Sequence, residues 1–201
     1  DDTESKKLLG LWTNNDTNND LLALAFFDDG TYVHLEVDET LPLDTENETS
    51  GMEWGTYSVD SQTNALTIKT TFDKNGDTGL SDPLTRYARV SGDLLTLQVD
   101  ENRNGKIDSD ESFTLSKAKS EGILGLWRNK DTNNELLLLA FLDDDTYIHL
   151  EIDERFPFDN DDNEISGMEW GRYTLNNQTK ALNTSIIFDN NGSSGLSDSF
   201  T

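Results

Sequence analysis

From Thr31 to Asp38 the chain alternates, with Val33, Leu35 and Val37 on one face of an extended strand and Tyr32, His34, Glu36 and Asp38 on the other, because successive strand side chains point to opposite sides. The same period of two recurs in short runs rich in Val, Ile, Thr, Tyr and Phe, bounded by clusters of Asn, Asp and Gly. No window sustains an apolar stripe at helical spacing. Strands are predicted near residues 8–14, 21–28, 31–38, 52–59, 65–73, 84–91, 93–100 and 112–118. Turns such as Asp28-Asp29-Gly30 and Ser91-Gly92-Asp93 supply the positive backbone angles that hairpins use. Consecutive hairpins make an up-and-down antiparallel meander, and a meander of this many strands can close into a barrel without free edges. Val33, Leu35 and Val37 are expected to face inward, leaving the His34 row outside or against a neighbouring unit. The run Leu21 to Phe27 is apolar on both faces, so a second layer, such as the neighbouring unit, is expected over it.

The pattern is written twice. Leu9-Gly10-Leu11-Trp12 returns as Leu124-Gly125-Leu126-Trp127, Phe26 to Asp38 returns as Phe141 to Asp153, and Ser50 to Gly55 (SGMEWG) returns as Ser166 to Gly171. Roughly three aligned residues in five are identical, far above chance and the signature of a tandem repeat. Identity between copies this similar does not by itself mark function. The last residues, Gly195 to Thr201, match Gly79 to Thr85, so nothing in the second copy corresponds to Arg86 through Lys119. The expected units are therefore residues 1–119 and an incomplete 120–201. The fold class is all-β, with tandem eight-stranded up-and-down barrels of which the second lacks its last three strands. Five strands cannot close a barrel, so the two edges are expected to be covered by another chain, as in self-association through the edge strands of the second unit, by the first copy, or by residues absent from this piece.

Charge narrows the partners. Among 201 residues, 40 Asp and Glu face 15 Lys and Arg, a formal net charge of −25, which repels phosphate backbones and anionic lipid headgroups. Nucleic-acid binding and membrane insertion are not expected, and no stretch approaches the roughly 20 apolar residues of a membrane span. The absence of cysteine removes disulfides, thiolate zinc sites and a Cys nucleophile. The start at Asp1-Asp2-Thr3 reads as a mature or excised piece from which an export signal has gone.

Gly10-Leu11-Trp12 and Gly125-Leu126-Trp127, the turn from Phe27 to Tyr32, and Trp54-Gly55-Thr56-Tyr57 with Leu66-Thr67-Ile68 together resemble small bacterial lipocalin-like domains. The resemblance implies a barrel with the Trp at its floor against a late-strand arginine, Arg86 or Arg89. It also implies an interior that either holds a small hydrophobic ligand or is filled by its own side chains, both of which suit an eight-stranded barrel.

The most specific chemical pattern is Asp100 to Glu111, DENRNGKIDSDE. It fits the twelve-position EF-hand loop, with Asp100, Asn102, Asn104, Lys106 (through its carbonyl), Asp108 and Glu111 at positions 1, 3, 5, 7, 9 and 12 and Gly105 at the sharp turn. Calcium needs six to eight hard oxygens at once, which is why carboxylates and amides alternate here. The flanks read as strands, so the loop is expected on a β-hairpin, pinning structure rather than switching it. A weaker metal candidate is Asp73, Asn75, Asp77 and Asp82, read mainly as a turn because copy two has Ser193 in place of Asp77. The acidic stretches Asp44 to Glu48 and Asp159 to Glu164 read as solvated loops. His34 with Glu36 and Asp38, and His149 with Glu151 and Asp153, read as a polar face rather than a metal or acid–base row. No nucleophile elbow, phosphate loop or His-Glu-x-x-His occurs, so no enzyme is expected. The reading is an exported calcium-binding module of bacterial type, extracellular, at the cell surface or periplasmic, with a carrier of a small hydrophobic ligand as the alternative.

Overall fold

The computed structural model describes residues 3–14, 20–38, 50–75, 79–129, 135–153, 166–191 and 195–196. The chain divides into two compact units, Asp1–Ala118 and Lys119–Thr201.

Unit 1 opens with a single helical turn and a half, α1 (Thr3–Leu8), followed by β1 (Gly10–Thr13), β2 (Asp20–Phe26), β3 (Thr31–Asp38), β4 (Gly51–Val59), β5 (Leu66–Asp73), β6 (Arg86–Ser91), β7 (Leu94–Val99) and β8 (Ser112–Lys117). The predicted first strand thus begins later than residue 8. Gly10 adopts φ +117°, which breaks the chain out of the helix, and the Trp12 indole donates to the Leu8 carbonyl at 2.7 Å, satisfying a helix-end acceptor.

All pairings are antiparallel, between consecutive strands except for β1 with β8, in the order β5-β4-β3-β2-β1-β8-β7-β6. The sheet curls into a half-barrel whose edge strands, β5 and β6, meet at the bridge Ala65↔Tyr87, beside an Ala88 N–H donated to the Asn64 carbonyl at 3.0 Å. Asn64 takes the left-handed conformation at φ 61° that this corner requires.

Pairing register shows which face is concave. Phe26↔Tyr32, Leu24↔His34 and His34↔Glu53 share one side, and on that side Trp12, Leu24, Phe26 and Tyr32 form one buried cluster with Leu95, Leu97 and Leu115 from β7 and β8. The expected orientation of β3 is therefore reversed: Tyr32 and His34 point inward, and His34 is buried. Val33, Leu35 and Val37, on the other face, are buried as well. Alternation separates two faces but carries no label for the concave one, and an aromatic tip with a hydroxyl is as fit for an interior as Val when a buried acceptor awaits it.

Unit 2 repeats the first five strands as β9 (Gly125–Arg128), β10 (Glu135–Phe141), β11 (Thr146–Asp153), β12 (Gly167–Leu175) and β13 (Leu182–Asp189), in the order β13-β12-β11-β10-β9. The repeat extends to fine geometry. The β2–β3 turn places Gly30 at φ 80°, and in the β10–β11 turn Asp145 accepts the same region at φ 65°. In both, an aspartate (Asp29, Asp144) accepts the N–H and hydroxyl of the following threonine (Thr31, Thr146).

Candidate functional site

The loop between β7 and β8 holds the EF-hand-like pattern, and its backbone is organised around its own side-chain oxygens. The Asp100 carboxylate accepts the N–H of Asn104 through Oδ1 and of Gly105 through Oδ2, both at 2.9 Å. Glu111 reaches back from the far end, accepting the N–H of Asn102 at 3.0 Å and of Asp108 at 2.9 Å. The amides of Asn102 and Asn104 both donate to Asp108 Oδ2 at 2.9 Å. Arg103 (φ 58°) and Gly105 (φ 79°) supply the two left-handed positions that tighten the loop. Five of the six predicted ligand side chains or their backbones are thus gathered in one loop; for Lys106 the structure records its N–H donated to Asn104 Oδ1 at 2.8 Å. The loop is tied to the entry of β6, since the Asp100 N–H donates to the Thr85 carbonyl at 2.9 Å.

Asp100 and Glu111 are only 7 % and 5 % exposed, and among the described residues neither makes an ion pair with a lysine or arginine. Two nearly buried carboxylates answered only by neutral N–H donors fit a cation, because unpaired buried charge is costly. Among the described residues no three His, Asp or Glu side chains are clustered tightly enough to hold a metal by acid and imidazole groups alone. A calcium ion at this loop therefore depends on the amide oxygens of Asn102 and Asn104 and the Lys106 carbonyl as well as on the three carboxylates.

The weaker candidates are placed differently. Asp73 Oδ1 accepts the Asn75 N–H at 3.2 Å, and Asn75 is fully buried with its amide on His34 Nδ1 at 3.1 Å. Asp82 is exposed, and its carbonyl accepts Arg86 Nη1 at 2.7 Å. Asp77 and the acidic stretches 44–48 and 159–164 lie outside the described residues. The described parts of the segment from Asp73 to Asp82 are pinned to the interior at Asn75 and Leu80.

Its anchor is Glu53, a residue that sequence reasoning passed over. This buried carboxylate accepts the Leu80 N–H at 2.7 Å, the Ser81 N–H at 3.1 Å and the Tyr32 hydroxyl at 2.9 Å. Tyr32 also shares a hydrogen bond with Thr70 Oγ1 at 2.9 Å. Burial drives the Glu53 carboxyl above its ordinary range despite these donors. Burial likewise raises the Tyr32 phenol, helped by the nearby Glu53 charge. Of the expected polar outer row, Tyr32 and His34 are thus part of a buried cluster, whereas Glu36 is half-buried. His34 is lowered to about 4 by burial and then by the Arg86 charge, so the imidazole is neutral at pH 7 and its 3.7 Å approach to Glu36 is not an ion pair. With the Asn75 amide donating to Nδ1, the ring proton sits on Nε2.

Arg86 is buried, bonded through Nη1 to the Asp82 and Leu84 carbonyls. The cation over the Trp12 ring is instead Lys117, 5.3 Å from the ring centre. Arg89 is exposed.

The cluster also explains the repeated SGMEWG. Gly51, Glu53 and Gly55 share a face; a Cβ at Gly51 would stand 2.0 Å from the Lys74 carbonyl and one at Gly55 2.2 Å from that of Lys69, so both permit close backbone approach beside the captured loop. Unit 2 reproduces it: Glu169 accepts the Tyr147 hydroxyl and the Leu196 N–H, each at 2.8 Å, and the Asn191 amide meets His149 Nδ1 at 3.2 Å. The signal was a lone Glu in an apolar strand flanked two residues away on each side by Gly. At Gly79, φ is +94° and a Cβ would stand 2.7 Å from Glu53 Oε2. Replacing Gly79 by Ala is expected to cost about 1–3 kcal/mol, read as a lower urea midpoint with unchanged slope; a variant as stable as the parent would show that the loop is not held against Glu53.

Compared with protein-family models, curated proteins and solved structures, the chain matches none.

Proposed function

We propose that the chain is an exported, calcium-binding module of tandem lipocalin-like β-barrel units, the second incomplete, that acts in binding or surface interaction and not in catalysis. The observation that carries this reading is the Asp100 to Glu111 loop, where two nearly buried carboxylates, with no lysine or arginine ion pair among the described residues, are held in EF-hand-like spacing on a β-hairpin. Its flanking strands leave no helix pair to open, so the ion's role is to fix the β7–β8 hairpin and, through Asp100 and Thr85, the strand that follows the captured loop. Calcium at the millimolar level found outside cells loads even weak sites of this kind, which suits the export reading. The neutral, enclosed His34 supports a non-enzymatic role. The contiguous packing of Trp12, Leu24, Phe26, Tyr32, Leu95 and Leu97 favours a filled interior over a small-ligand carrier.

Titration calorimetry on the chelator-treated chain tests the ion directly. Calcium is expected to bind and, at 100 times its Kd, to stabilise the chain by about 2.7 kcal/mol. Glu111→Gln, which removes the charge of the back-reaching ligand, is expected to abolish most of that gain. No heat and no shift in melting temperature at millimolar calcium would sink the proposal.

A further inference from the structure

Three Asn-Gly pairs occur in the chain, Asn75-Gly76, Asn104-Gly105 and Asn191-Gly192. Such a pair carries its own chemistry: with no Cβ on the glycine to crowd the approach, the glycine nitrogen can attack the side-chain carbonyl carbon of the preceding asparagine. The three pairs are alike in sequence, and the fold treats them differently.

Asn75 and Asn191 are fully buried, and each side-chain amide is committed to a histidine, His34 Nδ1 at 3.1 Å and His149 Nδ1 at 3.2 Å. Both side chains are thereby held away from water. Asn104 and Gly105 are exposed in the β7–β8 loop, and a Cβ at Gly105 would meet nothing within 4 Å. Around this pair the groups that an attack requires already stand within hydrogen-bond reach. The Gly105 N–H, whose nitrogen is the nucleophile, donates to Asp100 Oδ2 at 2.9 Å, so a proton acceptor is in place. Asn104 Oδ1, the oxygen on which negative charge develops, accepts the Lys106 N–H at 2.8 Å. The departing nitrogen, Asn104 Nδ2, donates to Asp108 Oδ2 at 2.9 Å.

We propose that Asn104 is a site of self-modification, at which the folded loop converts the asparagine into aspartate through a cyclic imide, while Asn75 and Asn191 stay intact. The Gly105 nitrogen bonds to Asn104 Cγ and passes its proton to Asp100. The Cγ–Nδ2 bond then breaks, and the nitrogen leaves as ammonia with the proton that Asp100 took up. Water hydrolyses the imide. Opening at Cγ leaves an aspartate on the normal backbone, and opening at the Asn104 main-chain carbonyl leaves an isoaspartyl link one carbon longer.

The aspartate changes the site. A further carboxylate joins Asp100, Asp108 and Glu111, and it faces Asp108 Oδ2 where the amide had donated. Without an ion that contact becomes a repulsion; with calcium it becomes another charged ligand. Conversion therefore shifts the loop's stability from its own amides to the ion. This consequence rests on the calcium reading above; the conversion itself does not.

The test incubates the full chain at neutral pH with chelator in oxygen-labelled water, folded and in urea, and follows its Asn-Gly peptides by mass spectrometry. In urea all three pairs should convert. In the folded chain Asn104 should convert at least as fast as it does in urea, and about tenfold or more faster than Asn75 and Asn191, whose attack must wait for local opening. An Asn104 that survives in the folded chain, or converts there more slowly than in urea, would overturn the proposal, as would equal conversion of the two buried asparagines. Calorimetry and melting of Asn104→Asp read the consequence: calcium should bind about tenfold more tightly than to the parent, and the calcium-free variant should melt below the parent. If neither chain binds calcium, the ion reading fails and the conversion stands on the mass data. If both bind calcium equally, the role assigned to the aspartate is overturned.

Discussion

Glu53→Ala should destabilise unit 1 by about 3–5 kcal/mol, the range for breaking one side of a buried charged network. The side chain is fully buried and accepts the Leu80 and Ser81 N–H groups and the Tyr32 hydroxyl. Truncation orphans the Leu80 N–H in the interior, opens a cavity, and removes the negative charge facing the buried Arg86 guanidinium. Tyr32 keeps Thr70 as a partner and Ser81 is exposed, so their losses are smaller. Relief of carboxylate desolvation works the other way, and Glu53→Gln isolates that effect: it keeps the volume and one acceptor, and its cost should be about 1–2 kcal/mol. Urea unfolding at pH 7 checks both. A Glu53→Ala chain within 0.5 kcal/mol of the parent would mean the captured loop draws its stability from elsewhere.

This buried cluster and the loop at Asp100 mark what could and could not be read from the chain. Strand positions were legible because the runs are short, β-branched and punctuated by Asn, Asp and Gly. The repeat was legible because it is literal. The turn of the Asp100 to Glu111 loop around its own side chains was legible because its spacing is local, set by residues within twelve positions of one another. The Glu53 cluster joins Tyr32, His34, Glu53, Thr70, Asn75 and Arg86 across strands β3 to β6 and the loop between β5 and β6, and no local window contains it. Alternation along β3 also could not say which face curls inward, since both faces end buried. The apolar assignment of Val33, Leu35 and Val37 to the interior followed hydropathy, whereas the partner strands supplied Tyr32 with a carboxylate acceptor there. The helix α1 escaped notice because a six-residue turn has too few positions to display a period.

Acid should weaken the fold through His34, with the loss falling between pH 6.5 and pH 4. The folded imidazole titrates at about 4, against an ordinary 6.5, because burial disfavours the cation and Arg86 repels it. Protonation at Nδ1 would also set an N–H against the donating Asn75 amide unless that amide turns over. Between the two values the unfolded chain binds the proton and the folded chain does not, so stability rises with pH in this window. The contribution is complete above pH 6.5 and is lost as pH falls toward 4, amounting to about 3 kcal/mol for a 6.5-to-4 shift. His149, also lowered by burial, acts with the same sign in unit 2. Glu53 acts oppositely: its folded carboxyl is raised, so it gives stability as pH falls through that raised value and partly offsets His34. The stability difference between the parent chain and His34→Gln should therefore be flat above pH 6.5 and shift against the parent by about 3 kcal/mol on reaching pH 4. In a Glu53→Gln background the parent histidine's acid loss should stand out more steeply, because the opposing carboxyl is gone. Proton NMR of the His34 ring gives an independent reading. A resonance that titrates near 6.5 in the folded chain, with a pH-independent difference between the two proteins, would show that the imidazole is in contact with water and that the buried cluster is not closed around it.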